Sequence, residues 1–198
     1  MPKAGYPLVV TLAEAATDLQ ARADQAPFVL IALPPQTDRV ATQAIVAEAK
    51  KLACLDPLRL FVLGHGAGTV AALRLACESS LGVAAVATVA GSLRGEPCRV
   101  PWLDMRGDSD RCVPPASTSA LEAWRVGNHC DKQTRVVRKT GDATCHSFDH
   151  CALDVQQCIL FGVGHIWGSI EACGGKEPSG FNVGDWAWSF FQGHPRKL

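Results

Sequence analysis

Three positions that could support chemistry each follow a strand-like segment of the sequence: Gly66, Asp110 and His165. In open α/β sheets, ligands bind at the carboxyl ends of strands, so these three positions are expected to meet at one edge of a sheet. A carboxylate that accepts the imidazole N–H fixes the tautomer of the ring and stabilises the imidazolium that forms during proton transfer. The sequence therefore predicts an Asp110–His165 acid–base pair facing residue 66.

The pentapeptide Gly64-His65-Gly66-Ala67-Gly68 joins a strand-like run, 58–63, to a helix-like run, 69–79. Such a strand–turn–helix with the pattern Gly-x-Ser-x-Gly holds a serine oxygen above the sheet edge, where it can attack a carbonyl. Here the central residue is Gly66, which has no side chain. The turn is therefore predicted to form without its nucleophile.

Alternating strand and helix patterns predict an α/β fold with a mostly parallel sheet and helices on both faces. The predicted strands are 8–12, 28–33, 58–63, 83–89, 100–105, 133–139 and 157–161. The predicted helices are 38–54, 69–79, 117–128 and 185–192. Residues 140–151 are interpreted as an ordered loop, and the glycine-rich stretch 169–184 as a border of the active-site cleft.

Length and charge narrow the functional classes. The 198 residues favour one domain, 1–198, and 47% of them are hydrophobic, enough for one core. The 19 basic and 19 acidic residues are scattered and sum to zero, which argues against nucleic acid or an anionic membrane as partner. No apolar run approaches the roughly 20 residues of a membrane helix. We expect a soluble monomer.

Nine cysteines in a chain of this length favour an oxidising compartment, and so secretion. Four of them, Cys130, Cys145, Cys151 and Cys158, fall in one stretch that is typical of a disulfide staple. The odd count leaves at least one thiol free or paired between molecules, so a reducing compartment stays open. The amino-terminal residues lead directly into a strand-like run without a small-residue cleavage site. We therefore expect that any secretion signal was removed or never existed.

Several short segments resemble the secreted polyhydroxybutyrate depolymerase and feruloyl esterase group of α/β-hydrolases. The resemblance runs from about Pro7 to Arg196, and its most specific motifs are Arg106-Gly107-Asp108-Ser109-Asp110 and Gly164-His165-Ile166-Trp167. Further matching segments are 54–59, 74–78, 89–93 and 188–195.

The resemblance implies a three-layer α/β/α hydrolase fold and hydrolysis of a small-molecule or polymeric ester through an acyl-enzyme, with no metal and no organic cofactor. By position, Gly66 replaces the serine, Asp110 is the acid and His165 the base. The backbone N–H groups of Ala67 and Ala13 would bind the oxyanion.

The segment from Cys145 to Cys151 contains two cysteines and two histidines, which are zinc-ligand types, but adjacent Cys-His pairs rarely direct both side chains at one ion. The resembling proteins have cysteines here without the histidines. A small disulfide loop is therefore the preferred interpretation of this segment.

The chain departs from the family pattern at Gly66 and again after the first strand. There the family usually has a His-Gly pair, and this chain has Leu12-Ala13-Glu14-Ala15. An inward-facing Glu14 carboxylate would disfavour an oxyanion, because like charges repel more strongly in a dry site.

Two origins fit the glycine: a serine replaced to trap a substrate, or a natural pseudoenzyme that binds an ester without turnover. A third route is water activated by Asp110 and His165 in the space left by the missing hydroxymethyl group.

Two further residues are candidates for substrate binding. His65 directly precedes the nucleophile position, although a packed structural ring is the more common role of such a histidine. Trp167 lies two residues after His165, where an aromatic wall could stack on a feruloyl ring or pack on a polyester segment. Asp108 is interpreted as a loop carboxylate that caps backbone N–H groups.

Overall fold

The computed structural model describes residues 5–14, 17–77, 80–93, 97–113, 118–167 and 173–197. Eight strands of this part of the chain form one sheet with the order β2-β1-β3-β4-β5-β8-β7-β6. The strands are β1 Tyr6–Leu12, β2 Val29–Leu33, β3 Leu55–His65, β4 Ala85–Val89, β5 Trp102–Gly107, β6 Thr134–Thr140, β7 Ala143–Phe148 and β8 Val155–Leu160.

Six neighbouring strands, from β2 to β8, pair in parallel, and β7 and β6 add two antiparallel pairings at one edge. The predicted mostly parallel sheet is therefore confirmed. Because the six strands run in one direction, their carboxyl ends share one edge, and the loops after β3, β5 and β8 leave the sheet there.

In the described part of the chain, five helices cover the two faces of the sheet. They are α1 Thr17–Ala23, α2 Arg39–Leu52, α3 Thr69–Cys77, α4 Thr118–Gly127 and α5 Val183–Gly193. Among the described residues, no helix is long and apolar enough to cross a membrane.

The buried side chains divide into two cores, one on each face of the sheet. Phe61 on β3 stacks on Phe191 of α5 with ring centroids 4.8 Å apart, in the core that α1 also joins. On the opposite face, Trp102 on β5 meets Trp124 of α4 at 4.8 Å. Alternate residues of a strand point to opposite faces, which explains why the central strands are apolar at nearly every position.

The interpretation of residues 140–151 as a loop is wrong. Thr134–Thr140 and Ala143–Phe148 form an antiparallel hairpin, and β7 also pairs with β8. The side chains of β7 alternate between buried and half-buried, but the buried ones are Ala143, Cys145 and Ser147. Small and polar residues hide the period of two, so the sequence gives little sign of a strand.

Helix α1 and the start of α5 also differ from expectation. The sequence analysis predicts no helix within residues 13–27, where the structure has α1. The helix has only seven residues, and only one of its apolar side chains, Leu19, is fully buried, so its sequence shows no helical period. Helix α5 begins at Val183, two residues before the predicted start, after Asn182 caps it by accepting from the Asp185 N–H at 2.7 Å. Within the predicted irregular stretch 169–184, residues 169–172 lie outside the described part of the chain.

Four disulfides connect eight of the nine cysteines, and Cys54 is an exposed free thiol. The predicted staple is confirmed, because all four of its cysteines are bonded. The expected small loop between Cys145 and Cys151 is wrong, since each pairs with a more distant cysteine and neither thiol is free to bind a metal. The pairs are Cys77–Cys98, Cys112–Cys173, Cys130–Cys151 and Cys145–Cys158.

Candidate active site

The turn between β3 and α3 is built from glycines that have no room for a side chain or need a left-handed backbone. A Cβ on Gly68 would lie 1.9 Å from the Leu12 carbonyl oxygen, and one on Gly64 would lie 2.6 Å from the Cβ of Ala72. Gly66 has a φ of +52°, a conformation that costs an L-residue energy. This close packing presses the turn against the carboxyl end of β1.

Asp110 and His165 form the predicted pair. The Nδ1 of His165 donates to the Oδ2 of Asp110 at 2.7 Å, and the Asp110 side chain is almost completely buried. The other oxygen, Oδ1, accepts from the N–H groups of Cys112 at 2.8 Å and Val113 at 3.0 Å. With Nδ1 committed to the carboxylate, the Nε2 of His165 is the atom left to exchange protons.

Residue 66 directly faces this nitrogen. A Cβ built on Gly66 would lie 3.5 Å from the Nε2 of His165, and, apart from its chain neighbours, no other described residue comes within 4 Å of it. A hydroxyl on such a carbon would come within reach of Nε2, which is the geometry of a nucleophile next to its base. The structure thus brings together the three positions Gly66, Asp110 and His165.

The loops that hold Asp110 and His165 are fastened to each other. The Ser109 N–H donates to the Val163 carbonyl at 3.0 Å, and the Asp108 carboxylate accepts from the Gly162 N–H at 2.7 Å. Asp108 therefore caps a backbone N–H, as interpreted from the sequence. The disulfide Cys112–Cys173 adds a covalent link two residues beyond Asp110.

His65 is a packed residue beneath the site. Only 6% of it is exposed, and its Nε2 lies 2.6 Å from the Ile166 carbonyl oxygen, to which it must donate. Its ring centroid is 5.2 Å from that of His165 and 5.8 Å from that of Trp167. Burial lowers the pKa of His65; the hydrogen bond to Ile166 offsets only part of this effect. His65 therefore remains neutral and supports the loop that carries His165.

Trp167 borders an open cavity of about 720 Å³. Its φ is +60°, and its indole Nε1–H donates to Asp18 of α1 at 3.1 Å. Arg138 and Glu177 also line the cavity. The sequence analysis does not identify Asp18, Arg138 or Glu177, because they are far apart in the chain and belong to no motif.

The predicted oxyanion donors differ in their surroundings. The Ala13 N–H already donates to the Leu33 carbonyl at 3.1 Å, so it is not free to bind an oxyanion in this arrangement. The prediction fails for Ala13 because the chain after β1 continues to pair with the end of β2. Ala67 lies in the 3₁₀ turn Gly66–Gly68, and the first N–H groups of such a turn lack partners within it. Glu14 is exposed.

Comparison with known structures identifies the fold. The acetyl xylan esterase from Aspergillus awamori superposes with a TM-score of 0.62 over 95% of this chain and 88% of its own, at 12% identity. The chain has the α/β-hydrolase fold. Esterase PE8 gives a TM-score of 0.61 at 18% identity, covering 96% and 93% of the two chains. Est1E from Butyrivibrio proteoclasticus gives 0.58 at 12% identity, covering 97% and 89%.

A comparison of sequences, rather than of structures, finds one further similar protein. The chain is 32% identical over 121 residues to NocK, a proposed esterase of Nocardia uniformis subsp. tsuyamanensis. The alignment covers 57% of this chain and 35% of NocK, so the chain spans about a third of that protein. No family model matches the sequence.

The Cys112–Cys173 disulfide is predicted to keep the Asp110–His165 hydrogen bond in place. In a Cys112→Ser/Cys173→Ser variant we expect the downfield proton NMR signal of the His165 Nδ1–H to broaden or vanish, because the acid loop loosens. The matched control is Cys130→Ser/Cys151→Ser, which removes a disulfide elsewhere. Removing either one costs typically about 2–5 kcal/mol of stability. An unchanged signal in the first variant would show that the backbone hydrogen bonds suffice.

The lowered pKa of His65 predicts a pH dependence of stability. On acidification below the usual histidine pKa of about 6.5, the unfolded chain takes up a proton that folded His65 resists, so stability falls. Urea unfolding at pH 7.5 and 5.0 should show a larger loss for the parent protein than for His65→Gln. Other titrating groups are common to both proteins and cancel. Equal losses would contradict a buried neutral His65.

Proposed function

We propose that the chain is a carboxylic-ester hydrolase scaffold of the polyester depolymerase or feruloyl esterase type, with its nucleophile position occupied by Gly66. As the sequence stands, it binds an ester and turns it over very slowly or not at all. The supporting observation is the position of His165: its Nε2 is oriented by Asp110 and lies 3.5 Å from a Cβ built on Gly66.

Retention of this pair favours an ester-hydrolysing ancestry over an unrelated binding function. The buried Asp110 carboxylate accepts from two backbone N–H groups and from the imidazole, which holds the ring in the tautomer that leaves Nε2 as the proton acceptor. The neighbouring structures named as esterases agree with this chemistry. Their identity to this chain is below 20%, so the proposal of an ester substrate rests on the geometry of the site rather than on these neighbours.

Without a hydroxyl at residue 66, no acyl-enzyme can form. The remaining route is water that donates a proton to the Nε2 of His165 as it attacks the ester carbonyl, with the Asp110 carboxylate stabilising the imidazolium. Hydrolases that lose a triad member retain roughly 10³–10⁴-fold acceleration over water from binding and the oxyanion hole. We expect the parent protein to reach that level at most.

A second candidate function is ester binding without turnover. The Ala13 N–H is occupied by Leu33, which removes one of the two proposed oxyanion donors. A protein that only binds an ester has no need of that donor. In this case the hydrolase cleft serves as a ligand pocket, and the Asp110–His165 pair contributes polar contacts.

Four disulfides among the described cysteines support an oxidising compartment, and we propose secretion on that ground. Trp167 supports an aromatic ester or a polymer segment as ligand, since its indole is a flat apolar group that follows His165 by two residues and lies 5.8 Å from the His65 ring. We propose a single domain that acts as a monomer.

Restoring the nucleophile separates the two candidate functions. Gly66→Ser should raise the hydrolysis of a short-chain p-nitrophenyl ester by several orders of magnitude, because the new hydroxyl would lie beside the Nε2 of His165. Initial rates are compared for the parent protein and the variant. Adding His165→Ala should abolish the gain. A folded Gly66→Ser protein that gains nothing would favour the binding function.

The same variant needs a folding control, because residue 66 has a positive φ. A serine there is expected to cost about 1–3 kcal/mol of stability. Gly66→Ala carries the same backbone cost without a hydroxyl, so it should match the serine variant in melting temperature and the parent protein in activity. A gain in activity with alanine would contradict nucleophilic catalysis.

Trp167 is predicted to contribute to ester binding through its ring. Trp167→Ala should weaken binding of methyl ferulate about tenfold, which corresponds to about 1.4 kcal/mol. Trp167→Phe is the matched control, because both variants lose the hydrogen bond to Asp18 and only phenylalanine keeps an aromatic surface. Calorimetric titration gives both affinities. Unchanged affinity in the alanine variant would remove Trp167 from the binding site.

A further inference from the structure

We propose that a second site, at the end of the sheet opposite Gly66, binds a small organic carboxylate with an apolar body. A cavity of about 620 Å³ lies where the chain enters β4, β5 and β8. That volume is within the range of roughly 300–1,000 Å³ typical of ligand pockets. The proposal does not depend on the proposed ester chemistry, because Gly66, Asp110 and His165 lie at the carboxyl ends of the strands.

The walls of this cavity are largely apolar. They include Val83 before β4, Val100 and Pro101 before β5, Leu153 before β8, and Pro195 after α5. A hydrocarbon or aromatic group would leave water on entering such a space, which is favourable in proportion to the apolar area it buries. The walls therefore favour a ligand with an apolar body over a bare inorganic ion.

Three cations border the same cavity: Arg99, Arg196 and Lys197. All three are exposed, and within the described ranges none of them has a carboxylate at ion-pair distance. A guanidinium presents paired N–H donors that match the two oxygens of a carboxylate. Three positive charges without an ion-pair partner among the described residues therefore lie at one pocket of a chain whose formal net charge is zero.

Arg196 is held in place by backbone contacts. Its N–H donates to the Leu58 carbonyl at 2.8 Å. Its guanidinium lies against Gly82, where a built Cβ would be 2.5 Å from Nη1. Because Gly82 has no side chain, the Arg196 guanidinium can occupy the space beside it.

Among the described residues that line the cavity, the one carboxylate, Asp154, has its own hydrogen-bond partners. Asp154 accepts from Ser147 at 2.8 Å and Gln156 at 2.6 Å, and it pairs with the Nε2 of His194 at 3.2 Å. The Nδ1 of His194 faces the Phe190 carbonyl at 2.7 Å, so both ring nitrogens face acceptors and the geometry suits an imidazolium. Burial lowers the pKa of His194, but the hydrogen bonds to Asp154 and Phe190 outweigh it and raise the pKa. The Asp154 carboxylate is therefore bound to Ser147, Gln156 and His194 rather than to the three cations.

The test is a titration of the full chain with benzoate, followed by calorimetry and by the NMR signals of His194 and His165. We expect one binding event that shifts His194 and leaves His165 unchanged. Arg99→Gln/Arg196→Gln should weaken it at least tenfold. The matched control, Arg74→Gln/Lys139→Gln, removes two exposed cations elsewhere and should bind like the parent protein.

Three results would overturn the proposal. The first is no benzoate binding, and the second is equal affinity in the two double variants. The third is a shift of His165 instead of His194, which would place benzoate in the Gly66 cleft. Inorganic phosphate is titrated in parallel. Binding of phosphate as tight as that of benzoate would overturn the assignment to an organic carboxylate, because the apolar walls would then contribute nothing.

Discussion

The hydrogen bond between Asp110 and His165 depends on two parallel strands, β5 and β8, that lie side by side and end at the same level. Gly107 and Leu160 are partners at the end of that pairing. A Cβ on Gly107 would lie 2.1 Å from the Val163 carbonyl oxygen, so the loop after β8 crosses directly over the end of β5. The two loops then exchange hydrogen bonds and share a disulfide. This close crossing places an acid and a base, 55 residues apart, at 2.7 Å.

The turn at Gly66 faces the same point from β3. Its glycines let α3 and the end of β1 approach closely, and its left-handed backbone directs residue 66 at the Nε2 of His165. Glycine adopts a positive φ without steric cost, so this turn forms without backbone strain. The turn therefore places residue 66, which is glycine in this chain, beside a histidine that Asp110 orients.

The two ends of the parallel sheet differ in chemistry. At the carboxyl ends, the buried groups are an acid–base pair and a neutral His65. At the amino ends, a hydrogen-bonded Asp154–His194 pair lies among cations that have no ion-pair partner in the described chain. Since helices cover both faces, the two ends of the sheet are where loops and termini can form pockets. Each end therefore presents a different charge to a ligand.

The sequence alone determined the α/β class, the mostly parallel sheet, and the positions of Gly66, Asp110 and His165 after their strands. These features follow from local patterns: apolar runs with helical or strand periods, and glycines at a sharp turn. The sequence did not predict strand β7, because the buried side chains of this strand are small or polar. It did not predict helix α1, because this helix is short.

Only the tertiary structure decided which groups are free to act. In the folded chain the Ala13 N–H donates to the Leu33 carbonyl, and His65 is buried with its ring bonded to the Ile166 carbonyl. The fold also brings Cys112 and Cys173 together as a disulfide. The cavity beside Trp167 and the cavity beside Arg196 are each lined by residues that are distant in the chain. Hydrogen-bond availability and pocket shape depend on contacts between remote segments, and no local pattern of residues records those contacts.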